Sequence, residues 1–230
     1  MRALSFCLLL LYPALIRAEE GRKVDCRFVS LNANLSPPAL LTASADGAES
    51  PVTVPTDSLS AASPCFSKTN TFSFLSAADR TPAATATIPA DVKSAILVFV
   101  AVPKTPGALP WRVFVIEDSE KKFPDGGAFV ANFHNQDIRF VIGENKLLLH
   151  PEGSHGVSRP NDRDDFNMAP VAFQFLQGDT WRNANESMLR FLPGMRYLMF
   201  AFVDAASGRP RVVTFQDQAT KPAAPGAVPR

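Results

Sequence analysis

Short apolar runs rich in Val, Phe, Ile and Thr recur from Val24 to Asp217, separated by clusters of Pro, Gly, Ser, Asn and Asp. This is the pattern of strands and turns. In the first half it predicts strands over residues 25–31, 39–43, 51–54, 71–75, 84–88, 95–102 and 111–117. In the second half it predicts 128–133, 137–142, 146–150, 171–176, 188–192, 196–203 and 210–216. Residues 95–102 are apolar throughout, which places that strand at the centre of a sheet covered on both faces. In the next strand Trp111, Val113 and Val115 alternate with Arg112, Phe114 and Ile116, so one set faces a core and Arg112 reaches solvent. Gly143-Glu144-Asn145 has the chemistry of a hairpin turn. Helix is scarce: residues 181–190 have room for a turn or two, but Asn183, Asn185 and Ser187 weigh against it.

The two halves repeat one another. Phe28-Val29 with Asn32 returns as Phe129-Val130 with Asn132, and Phe72-Ser73-Phe74-Leu75 returns as Phe173-Gln174-Phe175-Leu176. Pro89 with Phe99-Val100 returns as Pro193 with Phe202-Val203, and Arg112-Val113 through Asp118 as Arg211-Val212 through Asp217. A period of about 100 residues suits a small domain, being too long for a solenoid unit. Seven strands in about 95 residues match an immunoglobulin-like sandwich in count and spacing. The expected fold is therefore all-β: two tandem immunoglobulin-like β-sandwich domains related by internal duplication. The first spans residues 24–118 and the second 127–217, with a charged, turn-rich linker at 119–126. Residues 218–230 carry Pro222, Pro225, Gly226 and Pro229 without periodicity and read as a disordered tail.

Residues 1–18 have the layout of a signal peptide, with Arg2, an apolar stretch from Leu4 to Leu15, and a small residue, Ala18, at the cleavage position. The stretch is shorter than the ~20 residues of a membrane span, and Pro13 interrupts it. The expectation is an exported protein, periplasmic or extracellular, with no transmembrane segment. That segment holds two of the 23 basic residues and none of the 22 acidic ones, which leaves 21 against 22. A near-neutral chain without a basic run lacks the footprint of a nucleic-acid binder. The mature chain keeps two cysteines, Cys26 and Cys65. An even pair in an exported chain suggests a disulfide, whose loop of about 40 residues would contribute ~4 kcal/mol. Two buried free thiols are the alternative.

Candidate chemistry is thin. His150, Glu152 and His155 could contribute metal ligands, but a fixed site wants three or four at reproducible spacing. No metal or cofactor is expected. Glu152-Gly153-Ser154-His155-Gly156 has the outline of a nucleophile elbow, yet Glu stands where Gly is needed and no strand-to-helix turn surrounds it. Asn161-Asp162-Arg163-Asp164-Asp165, with Asn167, is an oxygen-rich loop of the kind that coordinates calcium, without the glycine and the terminal acid of an EF-hand. Its default reading is a solvated loop. Asn32 and Asn132 sit at the ends of repeat-related strands, where an Asn caps a turn. Trp111 falls in or beside the core, so Trp181 is the better exposed platform for a sugar ring or a partner. The candidate binding residues are thus Trp181, Asp162, Asp164, Asp165, His150 and His155, and no catalytic residue is assigned.

The segment 123–132, Phe-Pro-Asp-Gly-Gly-Ala-Phe-Val-Ala-Asn, continues through Phe140-Val141-Ile142-Gly143 to Leu149-His150-Pro151-Glu152-Gly153. It resembles a pattern of exported bacterial proteins of unknown function: Pro, x, Gly, then Asn, an apolar strand, and Leu-x-Pro-Gly. Glu152 between Pro151 and Gly153 departs from it. The resemblance implies the fold and brings no activity. The functional expectation is an exported, non-catalytic binding or scaffold protein of the bacterial cell envelope, acting on a protein partner. The alternative is a carbohydrate-associated module or small hydrolase. The two separate on whether Trp181, His150, His155 and the 162–165 loop converge on one concave pocket.

Overall fold

The computed structural model describes residues 21–31, 37–44, 47–204 and 207–218. The expected signal peptide, Asn32 and residues 219–230 of the expected tail lie outside the described residues. Gln218, the first residue of that expected tail, instead ends the last strand.

Sixteen strands run through the described residues, eight per half. The first half holds β1 (Arg22–Ser30), β2 (Leu40–Ala43), β3 (Glu49–Val52), β4 (Ser63–Ser67), β5 (Thr71–Ser76), β6 (Pro82–Thr87), β7 (Ser94–Ala101) and β8 (Trp111–Glu117). The second holds β9 (Ala128–Asn132), β10 (Ile138–Ile142), β11 (Asn145–Leu149), β12 (Ser154–Val157), β13 (Met168–Gln177), β14 (Thr180–Arg190), β15 (Met195–Val203) and β16 (Pro210–Gln218). They form four sheets: A, in the order β4-β1-β7-β8; B, β3-β2-β5-β6; C, β12-β9-β15-β16; and D, β11-β10-β13-β14. Adding eight to each strand of A and B gives C and D. The fold is two tandem β-sandwiches of the immunoglobulin-like class, with the duplication written into the topology. Each has eight strands in the same order, with the first strand parallel to the seventh (β1 with β7, β9 with β15).

The sequence pattern misses the same strand in each half, β4 and β12. Both are four- or five-residue edge strands, and their Ser, Pro, Gly and His read as turn. Residues 181–190, where a helical turn was considered, belong to the strand β14. Its residues are nearly all exposed at the edge of sheet D, so no apolar stripe marks it.

Matching strand partners shows how the repeats superpose. Phe28 pairs with Leu97, and Val130 with Met199. Leu31 N–H donates to Phe99 O, and Phe133 N–H to Ala201 O. Each comparison shifts both partners by 102 residues, not the 101 that sets Phe28 on Phe129. An odd slip turns side chains to the opposite face. Phe28 accordingly lies in the core of the first sandwich and Phe129 outside that of the second. Asn132 therefore matches Ser30, and not Asn32. In β8 and β16 the match of Arg112 with Arg211 holds, because Val100 pairs with Arg112 and Phe202 with Arg211.

Each sandwich has its own core. The first packs Phe28, Phe72, Phe74, Leu97 and Phe99 between sheets A and B, and the second packs Val130, Phe140, Phe173, Tyr197 and Met199 between C and D. A third core joins them. Val29, Ile96, Val98 and Ile116 on the far face of sheet A meet Phe129, Ala131, Leu198, Phe200 and Phe215 on the far face of sheet C. The layers therefore stack B, A, C, D. This explains the unbroken apolar run in β7, whose alternate residues face two different cores. The linker shares in it, since Phe123 is fully buried there and contacts Phe129 edge-on.

Buried charges close one end of this interface. Arg27 in β1 grips Asp217 with both guanidinium nitrogens, at 3.0 and 2.5 Å. Arg196 in β15 donates to the same carboxylate at 2.6 and 3.2 Å and to Asp118 at 2.9 Å. The Arg196 guanidinium also lies 4.0 Å from the centre of the Phe123 ring. Two arginines against two aspartates leave no net charge, and Asp118 and Asp217 are repeat-related positions. At the exposed rim Arg112 reaches solvent, as its alternation implies, and pairs with Glu152 of the second sandwich at 2.7 Å.

Cys26 and Cys65 correct the disulfide expectation: both are buried free thiols. Register is the reason. Val24 pairs with Cys65 and Cys26 with Ser63, so the cysteines are diagonal neighbours on one face. Diagonal Cα separations run at about 7–8 Å, at or beyond what a disulfide bridges without backbone movement. The hydrogen bond to Cys65, together with burial, pushes the Cys26 thiol well above the usual thiol range.

Two outcomes follow from this packing. Asp217→Ala leaves Arg27 and Arg196 without their shared buried partner and should cost ~3–5 kcal/mol in denaturant unfolding. Cys26 and Cys65 of the native chain should resist a thiol reagent and react fully once denatured.

Candidate functional site

The expected site residues fall in separate places. Trp181, in β14, lies on the outward face of sheet D opposite Leu176. His150 follows β11 and Asp137 precedes β10; they extend the β10–β11 pairing by one step, with His150 Nδ1 2.8 Å from Asp137 Oδ1. Ile138 opposes both Leu149 and Phe175, so the next positions outward bring His150, Asp137, Leu176 and Trp181 into one row across that end of the sheet.

The 162–165 loop sits at the other end of β10, against the two-residue hairpin Gly143-Glu144. Gly143 is left-handed there, with φ of 54°, and a Cβ would come within 2.2 Å of Asp162 Oδ1. Glu144 accepts from the Asn161 N–H at 3.0 Å, and this bond holds its carboxyl down at about 2. The side-chain hydrogen bond with Glu144 pushes Asp162 the other way, upward. Asp164 accepts from the Phe166 and Met168 N–H groups at 2.9 and 2.8 Å, which makes it the organiser of a turn. Asp165 is exposed. Among the described residues no group of three or more His, Cys, Asp or Glu side chains is placed to hold a metal ion.

His155 is on a third element, β12, opposite Val130 at the edge of sheet C. Ser154 opens the same strand, and Glu152 before it is left-handed, with φ of 63°. The 152–156 segment is thus a turn entering an edge strand. Gly156 is required on packing grounds, since a Cβ there would lie 2.2 Å from Lys122 O.

Asn132 is a structural residue in full. It is buried, and its Nδ2 donates to Gln136 O at 2.8 Å and to Leu149 O at 3.0 Å. Its Oδ1 accepts the His134 N–H two residues on, at 2.8 Å, which is the expected turn cap. His134 Nδ1 in turn accepts the Gln136 N–H at 2.9 Å. Burial holds the His134 imidazole below its ordinary value.

What sequence reasoning missed is the neighbour of Trp181. Arg139 in β10 lays its guanidinium 3.9 Å from the centre of the Trp181 ring. Beside it runs a groove of about 410 Å³ lined by Arg139, Val141, Lys146, Leu147, Leu148 and Gln174. Gln174 Nε2 donates to Asn183 Oδ1 at 2.8 Å, and Asn183 Nδ2 to Glu186 Oε1 at 2.6 Å. The outward position of Arg139 was readable from the alternation Ile138-Arg139-Phe140. Its contact with Trp181 depends on strand register between β10, β13 and β14. The arrangement sets a guanidinium over an indole beside a second cation and an amide row, groups that can meet charge, rings and hydroxyls.

Comparison with protein-family models and with curated proteins found no match. Among the described residues no helix is long and apolar enough to cross a membrane.

Asn132→Ala removes three buried side-chain hydrogen bonds and should cost ~2–3 kcal/mol by denaturant unfolding. His134, depressed in the folded state, binds more protons when unfolded, so its contribution is complete above its unfolded value of 6.5 and fades as pH falls below it. Denaturation midpoints from pH 7.5 to 5.5 should fall more steeply for the native chain than for His134→Gln.

Proposed function

We propose that this chain is an exported, non-catalytic binding or scaffold protein of the bacterial cell envelope, periplasmic or extracellular, and that it engages its partner through the outward face of sheet D. The single observation that carries this reading is the Trp181–Arg139 stack beside its groove. A shared core between the sandwiches gives that face a stiff support, since packed interiors resist deformation. Reactive side chains at the 161–167 loop have structural employment: Asp164 organises a turn, and Glu144 and Asp162 bond to one another. The resemblance of the 123–153 segment to exported bacterial proteins agrees with this setting.

The test is retention of envelope material by immobilised mature chain. The native chain should hold a component stoichiometrically, and the Arg139→Ala, Trp181→Ala double variant should lose it while keeping the native melting temperature. Equal retention by both, or turnover of a retained component that the variant abolishes, would contradict the proposal.

A further inference from the structure

The outward faces of the two sandwiches differ in a way the duplication does not require. On sheet B the outward positions of β5 and β6 include Thr71, Ser73, Thr85 and Thr87, with Leu75 half-buried opposite Leu41. On sheet D the exposed side chains include Leu148, Leu176 and Met188, together with the Trp181–Arg139 stack. No strand of sheet B carries a tryptophan or an arginine, so this stack belongs to the second sandwich alone.

The groove on that surface is cationic. Arg139 and Lys146 line it with no acidic side chain among the lining residues. Neither forms an ion pair among the described residues, although the chain as a whole is nearly neutral. Arg139 is also held in place: its guanidinium carbon lies 3.9 Å from the centre of the Trp181 ring, and a guanidinium offers a carboxylate a fork of N–H donors. Val141 and Leu148 supply an apolar floor, and Gln174 and Asn183 continue the surface with amide donors and acceptors.

We infer that this groove binds an acidic glycan: a sugar whose carboxylate meets Arg139 and Lys146, whose ring lies over Val141 and Leu148, and whose hydroxyls bond to Gln174 and Asn183. The charge of the lining selects an anion. The amides and the flat apolar floor select a polyhydroxylated ring. Sheet D has two free edges, β11 and β14, and an extended acidic peptide is the competing occupant that the hexaglutamate control tests. This inference rests on the binding reading above and takes its ligand class from the carbohydrate alternative in place of a protein partner.

The probe is tri-galacturonic acid, titrated into the mature chain with Trp fluorescence as the readout. Maltotriose serves as the neutral control and hexaglutamate as the charged non-sugar control. A saturable change is expected with the uronate alone, weakened about tenfold in Arg139→Gln and in Lys146→Gln and absent in Trp181→Phe. Both charge variants alter exposed side chains, and an unchanged melting temperature shows that they fold. No saturable change at millimolar uronate, an equal response to maltotriose, or an equal response to hexaglutamate would overturn the acidic-glycan assignment. Cleavage of the bound trisaccharide, read by chromatography, would leave the ligand class standing and overturn the non-catalytic reading instead.

Discussion

Two sheets that are apolar on both faces cannot be left facing water, and the architecture of this protein follows from that. Sheets A and C each bury one face within their own sandwich and turn a second apolar face outward. Covering those faces with one another joins two duplicated domains into one four-layered body. Apolar burial alone would allow the layers to slide. The Arg27–Asp217–Arg196–Asp118 network fixes their register, because a buried charge displaced from its partners is costly. Asp118 and Asp217 are the same position in the two copies, while the arginines Arg27 and Arg196 stand at positions that the other copy fills differently.

The proposed binding face is a consequence of the same stack. With A and C turned inward, B and D are the faces left to meet partners. Sheet B presents Thr71, Ser73, Thr85 and Thr87 beside half-buried Leu41 and Leu75, while sheet D presents Trp181, Arg139, Lys146 and an amide row. The loop at 161–167 is a separate matter: its carboxylates serve hairpin and turn, and it lies at the opposite end of β10 from the Trp181 row.

Fold class was legible in the sequence because strand periodicity and turn residues are local signals. Strands such as β7, β8, β10 and β15 stand where the apolar pattern places them, and the demand of β7 for cover on two faces could be read too. What would provide that cover could not, since it depends on which sheets meet. The short edges β4 and β12 escaped for want of any apolar period. The cysteine pairing failed for a related reason: sequence spacing says nothing of the register that makes Cys26 and Cys65 diagonal rather than opposed. The site was half legible. Trp181 stood out by type, and Arg139 by its outward alternation, but their stacking spans three strands and is a product of the fold.

The central claim is that the third core makes the two sandwiches one cooperative unit. Nature placed one tryptophan in each half, so Trp181→Phe leaves Trp111 to report the first sandwich and Trp111→Phe leaves Trp181 to report the second. Followed by fluorescence in denaturant, the two variants should give transitions that coincide with each other and with the loss of far-ultraviolet strand signal once corrected for any change in stability. Two separated transitions, with one half still folded while the other has melted, would contradict the account.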